Sequence, residues 1–185
     1  DNMLNAAPIA KRAEDAGVRM ITIHGRTRCQ FYKGRADWAA IRAVKESVNV
    51  PVIANGDIVG SEEARTALRL SGADGVMVGR GAQGRPWLLA QIAHDLHGRS
   101  APMIPKGAAM AEMVAEHYDE MLRFYGADLG AKVARKHLGW YMDYCDTPSD
   151  LRRAVLTARE VNTTFDLIAE AMQYDAAAPQ TRVAA

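Results

Sequence analysis

The sequence has 185 residues, of which 49% are hydrophobic and 24% charged, and its formal net charge is +1. This composition is typical of globular proteins, and no apolar run approaches the roughly 20 residues that a membrane helix needs. The near-neutral charge gives no general attraction to nucleic acid. Cys29 and Cys145 lie far apart and in no metal-like spacing. We therefore expect no disulfide, no metal site, no membrane association and a reducing, cytoplasmic location.

Residues 1–98 alternate between helical and strand patterns. Helices are predicted over 2–16, 38–48, 61–72 and 86–96, and strands over 19–25, 51–56 and 74–79. Asp37 and Ser61 are the expected caps of the second and third helices. Short links between alternating strands and helices indicate parallel βαβ units, and wholly apolar strands favour burial on both faces. A closed (β/α)8 barrel needs about 250 residues, so we predict the C-terminal part of a TIM barrel and expect the chain to be a piece of a longer protein.

The pattern changes after Gly98. A stretch with two prolines predicts a linker over 99–105. Beyond it we find only helical patterns, which predict an all-α helical-bundle domain over 106–174; its helices span 110–125, 131–144, 149–159 and 161–174. The small and polar residues 175–185 are expected to form a disordered tail.

Polar clusters that contain glycine follow each predicted strand, where barrel enzymes carry their working groups. The clusters are His24–Thr27, Asn55–Ile58 and Gly79–Gly81. Glycine lets the backbone approach a ligand and present its N–H groups to phosphate oxygens. Asn55, Gly56, Asp57, Gly79 and Arg80 would hold a phosphate if their strands are the last two of the barrel. The alternative is that the glycines only form tight turns and that His24 only packs.

Three cations lie on one face of the predicted helix over 131–144. Lys132, Arg135 and Lys136 share this face with Gly139, and more arginines follow on the next helix. A cationic face beside a glycine that permits close approach suits a phosphate backbone. A solvated helix face explains the same pattern equally well. The thiol of Cys29 has no neighbouring base in sequence, so we favour no catalytic role for it.

Four segments together resemble the tRNA-dihydrouridine synthases, the last of them in the form of the bacterial B-type subfamily. They are IHGRTR (23–28), PVIANGDI (51–58), GVMVGRGAQGRPW (75–87) and ARKHLGWY (134–141). The segments occur in the same order and at consistent spacing, and the resemblance covers about residues 1–170.

The resemblance implies a barrel that holds FMN at its mouth, NADPH as reductant, and a helical domain that binds tRNA. It assigns Asn55, Gly56, Asp57, Gly79 and Arg80 to the FMN phosphate and ribityl region, and His24 to the flavin ring. Lys132, Arg135 and Lys136 would then face RNA. The family's catalytic cysteine has no counterpart in this sequence, since neither Cys29 nor Cys145 matches its motif; it is expected upstream of residue 1.

Two other functions stay open. A small-molecule flavin oxidoreductase, such as a relative of dihydroorotate dehydrogenase, explains the phosphate loops but not the helical domain. An RNA-binding module without catalysis explains the cationic helix and treats the barrel segment as structural. We predict FMN-dependent reduction of tRNA uridine to 5,6-dihydrouridine, and expect no turnover without the upstream segment.

Overall fold

A computed structural model describes residues 4–174 of the chain, which divides into two compact units. The first unit is Asp1–Ala82 with Trp87–Pro102, and the second is Gln83–Pro86 with Met103–Ala185. The predicted tail over 175–185 lies outside the described residues. None of the described helices is both long and apolar enough to span a bilayer.

Strands and helices alternate in the first unit, as the sequence predicted. They are α1 (Ala6–Asp15), β1 (Ile21–His24), α2 (Arg42–Ser47), β2 (Val52–Asn55), α3 (Ser61–Ser71), β3 (Gly75–Met77) and α4 (Leu88–His97). Short 3-10 turns at Ala39–Ile41 and Arg80–Ala82 lead toward α2 and α4.

The three strands form one parallel sheet in the order β1-β2-β3. His24 pairs with Asn55, and Asn55 pairs with Met77, so the carboxyl ends of all three strands meet at one edge. The loops that follow the strands are therefore neighbours, which the function predicted from sequence required.

The core of the first unit lies between the sheet and its helices. Val52 and Ala54 of β2 are buried and pack with Ala10, Ile41 and Val44. A second buried cluster joins α3 to α4 and consists of Ile58, Ala64, Ala67, Leu88 and Ile92.

Burial of the strands on both faces, which the sequence led us to expect, is not found. Exposure alternates along β1, where Thr22 and His24 are exposed, and Met77 of β3 is 52% exposed. Within the described residues β1 and β3 are the edges of a three-stranded sheet, so only β2 has neighbours on both sides.

One of the two predicted helix caps is correct. The carboxylate of Asp37 accepts the N–H of Ala40 at 3.0 Å, at the start of the helical segment. Ser61 is not a cap. It is the first helical residue, after Gly60, and its hydroxyl donates to the carboxylate of Asp95 on α4. Ser61 therefore ties α3 to α4 instead of satisfying the N–H groups of its own helix.

Four helices form most of the second unit. They are α5 (Ala108–Tyr125), α6 (Ala127–Cys145), α7 (Ser149–Thr157) and α8 (Val161–Ala171). Helix α5 packs closely on α6 and α8, and the largest buried side chains include Met110, Tyr118, Leu138, Met142 and Ile168.

The short segment Gln83–Pro86 belongs with these helices because Gly84 lies directly on α6. A Cβ atom at Gly84 would lie 2.3 Å from the carbonyl oxygen of Trp140, closer than van der Waals contact allows. Only glycine fits at this contact without a shift of the backbone.

We expect Gly130→Ala to destabilise the helical unit by about 1–3 kcal/mol. A Cβ atom at Gly130 on α6 would lie 2.6 Å from the carbonyl oxygen of Met121 and 2.8 Å from the Cα of Leu122, both backbone atoms of α5. Urea unfolding followed by circular dichroism measures the free energy of unfolding of each variant.

The matched control is Gly139→Ala on the same helix. Its Cβ would meet only the end of the Arg152 side chain, at 3.2 Å, and the higher helix propensity of Ala is worth about 1 kcal/mol. We expect a change within about 1 kcal/mol of zero. Equal losses in both variants would contradict the close helix packing at Gly130.

Candidate functional site

The site predicted from sequence lies at the carboxyl edge of the sheet. His24 and Asn55 end β1 and β2 at this edge, and the loops that leave from it carry Gly56, Asp57 and Arg80. Direct contacts join these loops to one another. Gly79 lies between β3 and the 3-10 turn that begins at Arg80.

The turn after β2 requires glycine for packing as well as for its backbone. Gly56 has a φ of +117°, and a Cβ there would lie 2.8 Å from the Cβ of Ala36 and 3.3 Å from Cε1 of His24. The carbonyl of Gly56 accepts the indole N–H of Trp38 at 2.8 Å. The turn is therefore fixed against the loop that follows β1.

The carboxylate of Asp57 contacts three protein groups. Its Oδ2 accepts from the Arg26 guanidinium at 2.6 Å and from the Ala36 N–H at 2.8 Å, and Arg80 lies 3.5 Å from its Oδ1. Desolvation opposes ionisation, but the Ala36 N–H and the two arginines outweigh it and hold the pKa of Asp57 below its usual value. Asp57 is thus a carboxylate that links loops, and it is ionised at neutral pH.

The turn after β3 is tied to the turn after β2. Gly81 is buried, and a Cβ there would lie 2.4 Å from the carbonyl oxygen of Ile58. Arg80 extends beside the Asp57 carboxylate, and its guanidinium carbon lies 5.2 Å from the centre of the Tyr32 ring. The Arg80 side chain is 47% exposed, so it keeps an open side that can meet an anion.

Gly79 differs from the other glycines of this edge. An added Cβ would meet no protein atom within 4 Å, and its φ lies outside the left-handed region. Neither packing nor backbone conformation in the described structure therefore calls for glycine at this position.

The ring of His24 is oriented by its own loop. Its Nδ1 accepts the backbone N–H of Arg26 at 3.1 Å, so the neutral ring carries its proton on Nε2. The ring borders a shallow cavity between β1 and the following loop, which Arg26, Thr27, Arg28, Phe31 and Tyr32 also line. The amide nitrogen of Asn55 donates to the carbonyl of Met77 at 2.8 Å and so joins the ends of β2 and β3.

Sequence reasoning missed three residues of this site, namely Arg26, Tyr32 and Ala36. Arg26 stands within a cluster that the sequence had singled out, but nothing local shows that its partner is Asp57, 31 residues later. The available signal was the carboxylate of Asp57 directly after the glycine turn, because a carboxylate that is partly removed from water needs a cation or N–H donors nearby.

The predicted cations of the helical unit are exposed on α6. Lys132, Arg135 and Lys136 form no hydrogen bond or ion pair with other residues of the described range 4–174. By contrast, Arg123 on α5 is paired with Asp119 at 2.6 Å and with Glu120 at 2.9 Å.

The predicted role of Gly139 as a point of close RNA approach is not supported. Gly139 is buried, and the guanidinium of Arg152 covers it, donating to its carbonyl at 2.7 Å and pairing with Asp143 at 2.9 Å. The missing side chain makes room for Arg152. Gly139 and Arg152 therefore serve packing between α6 and α7.

Two histidines on α5 and α6 add no charge to the cationic face at neutral pH. Burial lowers the pKa of His117, whose Nδ1 lies 3.1 Å from the hydroxyl of Tyr141. Burial also lowers the pKa of His137, and the nearby His117 and Lys136 lower it further.

No group of three or more His, Cys, Asp or Glu side chains converges on a metal-sized position within residues 4–174. Neither cysteine is in a disulfide among residues 4–174: Cys29 is exposed, and Cys145 is buried with its Sγ 3.8 Å from the Sδ of Met172.

Comparison with known proteins places these features in a family. The family described as Dihydrouridine synthase (Dus) matches residues 1–177. A probable tRNA-dihydrouridine synthase of Rhodobacter capsulatus is 56% identical over 171 residues, covering 92% of this chain and 52% of the relative. One of Rickettsia conorii is 51% identical, covering 92% and 51%. The tRNA-dihydrouridine synthase B of Vibrio parahaemolyticus is 45% identical, covering 80% and 46%. The chain thus spans about half the length of the curated relatives it matches.

We expect the stability contributed by Asp57 to depend on its charge. Because its folded pKa is lowered, this contribution is present above the unfolded pKa of about 3.9 and is lost as pH falls through the lower folded value. Asp57→Asn should therefore cost about 1–3 kcal/mol at pH 7 and much less near pH 2. Urea unfolding of both proteins across this range measures the difference; an equal loss at both pH values would contradict a role for the charge.

Proposed function

We propose that this chain, which belongs to the dihydrouridine synthase family, supplies part of the FMN site and of the tRNA surface of an enzyme that reduces uridine in tRNA to 5,6-dihydrouridine. The observation that carries the proposal is the meeting of two glycine turns and Arg80 at one edge of the sheet, with Arg80 3.5 Å from Asp57 of the neighbouring turn.

We also propose the architecture that the sequence predicted. The three parallel strands and their helices are the C-terminal part of a TIM barrel, over residues 1–98, and residues 99–105 link it to a helical domain over 106–174. The single parallel sheet with strand order β1-β2-β3 supports this assignment, because sequential neighbours are the order of a barrel wall.

Gly79 and Arg80 are the proposed seat of the FMN phosphate. Gly79 has open space where a side chain would lie, although nothing in the described protein calls for glycine there. Glycine at such a position lets an anion approach the backbone N–H groups, and the half-exposed guanidinium of Arg80 adds charge-assisted hydrogen bonds. Asn55 and Gly56 form the adjacent wall.

His24 is proposed to donate a hydrogen bond from Nε2 to a flavin ring oxygen or nitrogen, because its Nδ1 is already occupied by the Arg26 N–H. Bound FMN supplies the hydride for C6 of uracil, and NADPH is the proposed source of that hydride. The cysteine that protonates C5 is proposed to lie in the half of the relatives' length that this chain does not span, because neither Cys29 nor Cys145 stands in the family's cysteine motif.

The exposed cations of α6 are the proposed contact with tRNA. Lys132, Arg135 and Lys136 have no competing acid partner among the described residues, so they are free to replace counterions on RNA phosphates. The target uridine must leave its stack to reach a flavin, and backbone contacts of this kind hold the RNA while it does so.

A complementation experiment tests the activity. A strain that lacks the complete gene should lose dihydrouridine at one or more tRNA positions, as measured by mass spectrometry, and the wild-type gene should restore it. Gly79→Ala should keep the wild-type melting temperature, because its Cβ meets no protein atom, but should bind FMN about tenfold more weakly and restore less dihydrouridine.

The outcomes separate the alternatives. A purified protein with bound flavin but unchanged tRNA in the deletion strain would indicate a small-molecule flavin oxidoreductase. A colourless protein that binds tRNA, with no loss of dihydrouridine, would indicate an RNA-binding module. Wild-type FMN affinity in Gly79→Ala would contradict the proposal that the FMN phosphate binds at Gly79.

The tRNA surface has its own test. Changing both Arg135 and Lys136 to Ala should weaken tRNA binding about tenfold or more and reduce the slope of log K against log salt concentration by about 2. Arg123→Ala is the matched control, because this exposed arginine is already neutralised by Asp119 and Glu120. An unchanged slope in the double variant would refute the assignment.

A further inference from the structure

The side chain of Arg26 is buried, with only 4% of its surface exposed. Its guanidinium donates to the carbonyl of Gly34 at 2.6 Å, to the carbonyl of Lys33 at 3.3 Å and to Asp57 at 2.6 Å. One side chain thus joins the long loop after β1 to the turn after β2.

The carboxylate of Asp57 extends this connection. It accepts the N–H of Ala36, two residues beyond Gly34, and it faces the guanidinium of Arg80 on the turn after β3. Asp57 itself has a φ of +52°, in the left-handed region that residues other than glycine seldom adopt. The contacts with Arg26 and Ala36 hold it there.

Charge alone gives no reason for a carboxylate at this place. A negative charge beside a phosphate seat repels the ligand, and its removal should strengthen binding if Asp57 did nothing else. Nor is the arrangement optimal for stability, because Nη1 of Arg26 is buried without a hydrogen-bond partner in the described structure. Both the repulsive charge of Asp57 and the unpaired Nη1 of Arg26 are explained if these residues hold the loops in position.

We infer that Arg26 and Asp57 are positioning residues. Their part-buried ion pair fixes the turn after β2 to the loop after β1 and so holds the Asp57 carboxylate beside Arg80, on the turn proposed to receive the FMN phosphate. The inference rests on the proposed function of these turns. Neither the Arg26 guanidinium nor the Asp57 carboxylate needs to touch the ligand for this role. Preformed spacing lets Gly79 and Arg80 meet the phosphate without ordering the loops at the moment of binding.

The experiment compares FMN with riboflavin, which lacks the phosphate, in the complete protein stripped of flavin. Dissociation constants are measured by quenching of flavin fluorescence. We expect Asp57→Asn to weaken FMN about tenfold and riboflavin by less than about twofold. Arg26→Lys keeps the charge but loses the forked geometry of the guanidinium, and it should show the same selective loss.

Asp74→Asn is the matched control in the same sheet. Asp74 also pairs with a cation, Lys45 at 2.8 Å, and also accepts a backbone N–H, that of Val52 at 2.7 Å. It precedes β3 at the opposite edge of the sheet, so its loss should leave the ratio of FMN to riboflavin affinity at the wild-type value.

The results distinguish this inference from the function on which it rests. If the wild-type protein binds neither FMN nor riboflavin, the proposed function and the positioning role are both wrong. If wild type binds FMN and Asp57→Asn binds it equally well or more tightly, the positioning role is overturned and the proposed function stands. An equal loss of FMN and riboflavin in Asp57→Asn and Arg26→Lys would also overturn it, because it would mean general damage to the fold.

Discussion

The ion pair between Arg26 and Asp57 is the interaction on which the candidate site depends. The parallel sheet brings three loops to the same edge, but a shared edge alone does not fix the loops to within the fraction of an ångström that ligand binding requires. The Arg26 guanidinium and the Asp57 carboxylate supply that precision. Arg26 donates both to Gly34 of its own loop and to Asp57, and Asp57 also accepts the N–H of Ala36, so the turn after β2 is fixed to the loop after β1. Removing Asp57 would leave the buried Arg26 guanidinium without its ion-pair partner.

The sequence predicted the elements well because their signals are local. The spacing of hydrophobic residues, the glycines that end helices and the runs of β-branched residues predicted the order of strands and helices. Because parallel strands end at the same edge of a sheet, that order also predicted that His24, Asn55 and Arg80 lie close together. The long-range contacts were beyond such reasoning. Asp57 was assigned to the ligand, whereas its carboxylate is used by Arg26 and Ala36. Its contact with ligand through any other atom stays a prediction.

Other differences have the same physical origin. Ser61 has the residue type of a cap, yet its hydroxyl donates to Asp95, which lies 34 residues away in sequence. Gly139 has the residue type of a close-approach site, yet Arg152 of the next helix fills the space. In each case the residue type indicated the kind of interaction, but contacts distant in sequence determined the partner.

The position of Gly84 limits how the protein can be divided. Four residues, Gln83–Pro86, belong with the helical unit although the residues on both sides of them, up to Ala82 and from Trp87, belong with the sheet. The boundary between the two units is therefore crossed more than once by the chain. A fragment that begins at Met103 would lack Gln83–Pro86. The backbone carbonyl of Trp140 on α6 would then lose its contact with Gly84. To keep this contact, an isolated helical unit would have to include Gln83–Pro86, either as a separate peptide or joined to the helices by a redesigned connection.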